Sequence, residues 1–73
     1  MAKIKLSVEF NRCVTKADTL RIGEVLMDYQ VDVNYLRQKT SHVEAEIQAE
    51  PYIAEYISEY IEDLPGVKKV TPS

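Results

Sequence analysis

A single thiol, a single imidazole and one arginine in a loop are the groups in this sequence with chemistry to offer. Cys13 opens the stretch Cys13-Val14-Thr15-Lys16. Two thiolates at Cys-x-x-Cys spacing would hold a soft metal, but position 16 is lysine, and one thiolate does not make such a site. With one cysteine, no internal disulfide forms. His42 is the only histidine and falls on the polar side of an alternating run, where an imidazole is solvated. No serine or cysteine has a base at a readable spacing, so neither nucleophilic triad is expected. Asn11 and Arg12 raise the question of anion binding. A phosphate loop also needs bare backbone, and the only glycines are 23 and 66. The expectation is a chain that is not an enzyme, with no catalytic residue, no cofactor and no metal.

Recognition is the alternative to catalysis. Tyr52, Tyr56 and Tyr60 recur every four residues and form one row on a helix. Such a row either packs at the margin of a core with its hydroxyls wet, or serves as a partner surface. Asn11, Asp32 and Asn34 are the candidates for a small-molecule site near the first helix and second strand.

The elements that must position these residues follow from periodicity. Lys3 to Phe10 alternates: Ile4, Leu6, Val8 and Phe10 on one side, Lys3, Lys5, Ser7 and Glu9 on the other. Thr15 and Asp18 stand at capping-box spacing. Leu20, Ile22, Val25, Leu26 and Tyr29 then form an apolar helical stripe, interrupted by Gly23, whose bare backbone suggests close approach to a sheet. Val31 to Arg37 alternates again. Gln38 to Ser41 is a polar turn, and His42 to Ala49 is a third strand with Val43, Ala45, Ile47 and Ala49 inward. Pro51 suits a first helical turn. Ile53, Ile57, Ile61 and Leu64 face a core beside the tyrosines, with Glu55, Ser58, Glu59 and Glu62 in water. Pro65-Gly66 ends the helix, and Val67 to Thr71 is a last strand.

Strand, helix, strand, strand, helix, strand, with right-handed crossovers, predicts an α+β, ferredoxin-like βαββαβ sandwich over residues 1–73. Its strand order would be 4-1-3-2, an antiparallel sheet with both helices on one face. Lys3 and Lys5 then share the outer face with Glu44 and Glu46, where cross-strand ion pairs are expected. Lys5, Ser7, Glu44, Glu46 and Gln48 make that face ionic and free of rings. RNA-recognition domains of this fold stack bases there on aromatic residues, so RNA binding is not expected.

At 73 residues a chain buries only about 60% of its unfolded surface, and pairing with a second copy is a common remedy. Its 45% hydrophobic and 29% charged residues are ordinary for a globular chain. The formal net charge of −3 argues against binding nucleic-acid backbones. No apolar run approaches the roughly 18 residues of a membrane span, and the start has no signal-peptide pattern. A cytoplasmic protein with no nucleic-acid or membrane partner is expected.

Two stretches resemble known families. "YQVDVNYLRQ", residues 29–38, resembles the second strand of NIL domains. "IEDLPGVKKV", residues 61–70, resembles the ending of ACT and related regulatory domains, where a Gly-Val turn opens the last strand. The likeness implies the βαββαβ plan and a small regulatory or protein-interaction module that associates with itself as a dimer or acts on a separate polypeptide. Two alternatives accompany it: an amino-acid-like sensor and an acidic protein-binding inhibitor. The sequence departs from these families in its short 38–41 connection and in having no glycine between Thr15 and Leu20.

Overall fold

The computed structural model describes residues 2–73. The chain folds as β1 (Ala2–Phe10), α1 (Lys16–Asp28), β2 (Asp32–Gln38), β3 (His42–Ala49), α2 (Pro51–Glu62) and β4 (Val67–Pro72). The four strands form one antiparallel sheet in the order β2-β3-β1-β4, roofed on one face by both helices. This is the ferredoxin-like α+β plan expected from the periodicity.

The central pair sets the core. β1 and β3 run from Ala2↔Ala49 to Glu9↔His42 without a slip, so the apolar side of each strand meets that of the other. Ile4, Leu6, Val8, Phe10, Val43, Ala45, Ile47 and Ala49 are buried, and Ile22, Val25, Leu26, Ala54, Ile57 and Ile61 close over them from the helices. Fully burying one such side chain contributes about 1.5–3 kcal/mol, so this layer is what holds so short a chain folded.

Local signals place the helices. Thr15 caps α1: its hydroxyl accepts the Asp18 amide proton at 3.2 Å while Asp18 accepts the Thr15 amide proton at 2.8 Å. α2 begins with Pro51 at its first position. It ends before Leu64-Pro65-Gly66-Val67, a turn closed by the Val67 amide on the Leu64 carbonyl at 3.3 Å, with Gly66 at φ 84°. Proline second and a left-handed glycine third define a type II turn.

Three expectations need correction. β2 does not alternate from end to end: Val33 faces Ile47 but Tyr35 faces Glu46, leaving Asn34 as a bulge residue. The extra residue reverses the strand's sides, so Leu36, opposite Ala45, packs on the core, and Tyr35 and Arg37 turn to the outer face. The outer face is therefore not ring-free. Ser58 is not in water: it is buried on the stripe of Ala54, Ile57 and Ile61, and its hydroxyl donates to the Ala54 carbonyl at 2.8 Å. A small serine that satisfies itself on its own helix fits a closely roofed sheet.

Gly23 lies against β2, but the approach is not close. A Cβ placed there would sit 3.4 Å from the Leu36 Cδ2, an ordinary contact. Gly23→Ala is therefore expected to stabilise the fold by roughly 0.5–1 kcal/mol through helix propensity. Urea unfolding checks this; a lower midpoint would mean the backbone packs more tightly than this spacing.

Candidate functional site

Three regions carry the polar and aromatic side chains singled out in the sequence. The first is the loop from β1 to α1. Arg12 forms a two-pronged ion pair with Asp18, at 2.6 and 2.9 Å, and donates to the Cys13 carbonyl at 3.2 Å. Its Cζ also lies 5.6 Å from the centre of the Phe10 ring, and its guanidinium lies against Gly66. The neighbouring Asn11 amide donates to the Gly66 carbonyl at 3.0 Å. Arg12 is thus a clasp between the start of α1 and the turn after α2. Its fork is already filled by a carboxylate, so an external anion would have to displace Asp18.

Asp18 has four donors around it: both Arg12 nitrogens, the Thr15 amide and the Thr15 hydroxyl. The Arg12 guanidinium first, and then Thr15, hold its carboxyl far below the usual carboxylate range. A depressed folded-state pKa stabilises the fold above the unfolded value, near 3.9, and this contribution is lost as pH falls below it. Asp18→Asn is expected to lower stability by about 1 kcal/mol at pH 7, the side chain being near the surface, and by progressively less below pH 4. Urea midpoints of both proteins between pH 7 and 2 check this; parallel curves would show that Asp18 titrates unshifted.

The second region is the outer sheet face. Asn34 donates to Glu46 at 2.8 Å and accepts from Gln48 at 3.3 Å. His42 meets Glu44 at 3.1 Å, which, with Lys39 and Arg37 nearby, lowers the Glu44 pKa. The Arg37 Cζ lies 4.3 Å from the centre of the Tyr35 ring. The expected ion pairs of Lys3 and Lys5 with Glu44 and Glu46 do not close. Lys3 faces Gln48, and both carboxylates turn toward other partners. Neither lysine has an ion pair among the described residues. Lys5, Ser7, Tyr35 and Glu44 line a shallow depression of about 240 Å³.

The structure does not bring the three small-molecule candidates together. Asp32, opposite Gln48, and Asn34 belong to one end of the sheet. Asn11 follows Phe10 at the other, about 20 Å away at the rise of a strand. The bulge that aims Tyr35 outward was missed because it lies within a run that alternates in hydrophobicity; Tyr35-Leu36-Arg37, which breaks the strict pattern, was the available signal.

The third region is the outward side of the helices. Tyr52, Tyr56 and Tyr60 are 59%, 57% and 53% exposed, and α1 adds the exposed Leu20 and Met27. The tyrosines are ordered against one another. Tyr52 and Tyr56 meet edge to face at 6.4 Å, and Tyr60 meets Tyr29, at the end of α1, at 6.5 Å. The hydrophobic residues packed against the core around this row include Tyr29, Ile53 and Leu64, and Tyr60 touches that margin through Tyr29.

Cys13 is exposed, and the described residues contain no group of three or more histidine, cysteine or acidic side chains close enough to share a metal ion. No helix among them is long and apolar enough to cross a membrane. No protein-family model matches the chain, and no curated protein sequence matches it either.

Proposed function

We propose that this chain is a small, non-enzymatic protein-interaction module that acts by docking the outward side of its helices, α2 foremost, on another polypeptide. The observation that carries this reading is the tyrosine row. Three aromatic side chains, each more than half exposed, stand in line on one helix face, Tyr52 edge to face with Tyr56 and Tyr60 against Tyr29. Tyrosine is enriched at protein interfaces because it offers a large apolar body with few rotamers to immobilise. Nothing in the core requires these rings, since Ile57 and Ile61 of the same helix fill it. The reading agrees with the regulatory role implied by the likeness to NIL and ACT domains.

The sheet edges offer a further polypeptide strand little to pair with. β2 is bulged at Asn34, and the β1–β4 register shifts between Glu9 and Phe10. Bulges of this kind blunt an edge against a further strand. The helical side, which carries the exposed rings, is the contact face of this reading.

A photo-crosslinking amino acid placed at position 56, in the cells that make the protein, tests the proposal. Position 48, on the opposite face, is the control. Specific protein adducts are expected from 56 and not from 48. Equal yields from both positions, or none from 56, would remove the interaction reading.

A further inference from the structure

Resting on that interaction role, we infer that the outer face of α2 docks a basic, apolar-anchored surface of a different protein. Glu55, Glu59 and Glu62 flank the tyrosine row, and none of them has an ion-pair partner among the described residues. Residues 51–63 contain no lysine or arginine at all. Like charges three and four residues apart on a helix repel one another.

Their placement also runs against the helix itself. The last turn of α2 has no basic residue, and the only acidic residue at its start is the N-cap Glu50. Glu59, Glu62 and the C-cap residue Asp63 gather instead at the C-terminal end, where the macrodipole is already negative. Folding alone disfavours this order, and a cationic partner laid along the helix relieves it. The tyrosines supply the apolar and aromatic contacts that fix such a partner, including ring faces for arginine and lysine heads. A second copy of the same face would set carboxylates against carboxylates. The face therefore selects an unlike, basic partner, with association that weakens as salt rises.

The test uses the full chain, labelled for NMR, and two synthetic helical peptides that share a leucine face. One carries lysine on its other face, and one carries glutamate. The lysine peptide is expected to shift the amides of α2, and the glutamate peptide to leave them unmoved. Tyr52→Ser, Tyr56→Ser and Tyr60→Ser together are expected to weaken binding at least tenfold with the urea midpoint nearly unchanged. Glu55→Gln, Glu59→Gln and Glu62→Gln together are expected to abolish its salt dependence. Undiminished binding by the tyrosine variant would overturn the inference by reducing it to diffuse charge attraction. So would shifts confined to the outer sheet face, equal binding of both peptides, or no binding. Crosslinks from position 56 that reach only a second copy of the chain would also overturn it, while the interaction role itself would stand.

Discussion

Ile57→Ala is expected to destabilise the fold by about 3–4 kcal/mol, the middle of the range for an aliphatic side chain whose removal leaves a cavity. Ile57 is wholly buried, on the stripe of α2 shared with Ala54, Ser58 and Ile61, where the helix packs against β4 and β1. Because β1 is paired to a strand on either side, the sheet resists collapse onto the smaller side chain. A chain of this length has a total stability of roughly 4–11 kcal/mol, so the loss is a large fraction of it. The thermal midpoint should fall by about 12 °C or more, since each kcal/mol shifts a domain of this size by about 4–8 °C. Tyr56→Ala, one residue earlier and facing water, is the matched control and should change stability by no more than about 0.5 kcal/mol. Thermal melts followed by circular dichroism separate the two. Equal losses would mean that α2 is rotated and that the tyrosine row is part of the core, which would also remove the proposed docking face.

The facing of α2 was legible because helical period is a strong signal and isoleucine and tyrosine differ in what burial does for them. The same is true of β1 and β3, whose alternation separates the buried side from the polar one along both strands. In β2 the reading failed where one residue changes the phase. Asn34 carries no mark that distinguishes a bulge from an ordinary outward position, yet it turned Tyr35 from the inner face to the outer and undid the ring-free surface used to argue against stacking. The cross-strand ion pairs failed for a related reason. Register put Lys5 opposite Glu46, but the bulge also brought Asn34 within reach, and a short amide on the neighbouring strand holds the carboxylate at 2.8 Å. A long lysine gains little from such an exposed pair after losing its rotamer freedom. The separation of Asn11 from Asp32 and Asn34 was latent in the topology, since the expected strand order already puts the end of β1 and the start of β2 at opposite ends of the sheet.

Arg12 is where local and long-range signals meet, and Gly66 is the residue that exposes it. Gly66→Ala is expected to destabilise the protein by about 2–3 kcal/mol, from two sources that can be told apart. The first is backbone strain. At φ 84° the residue occupies the third position of a type II turn, and a side chain there costs about 1–2 kcal/mol. The second is contact, since an added Cβ would lie 2.7 Å from the Arg12 Nη2 and 2.9 Å from its Cζ and Nε. The guanidinium can swing away, but it then leaves both Asp18 and the Phe10 ring. Losing that grip should return the Asp18 carboxyl toward its ordinary range, so Gly66→Ala should also flatten the fall in stability below pH 4. In an Asp18→Asn background the contact is already without its ion pair, and Gly66→Ala should cost only the strain, about 1–2 kcal/mol. The double-mutant cycle therefore predicts less than additive losses of stability between residues 48 positions apart in sequence. Strict additivity, with the acid limb of the stability curve unchanged, would show that the turn after α2 and the cap of α1 are independent and that Arg12 clasps nothing.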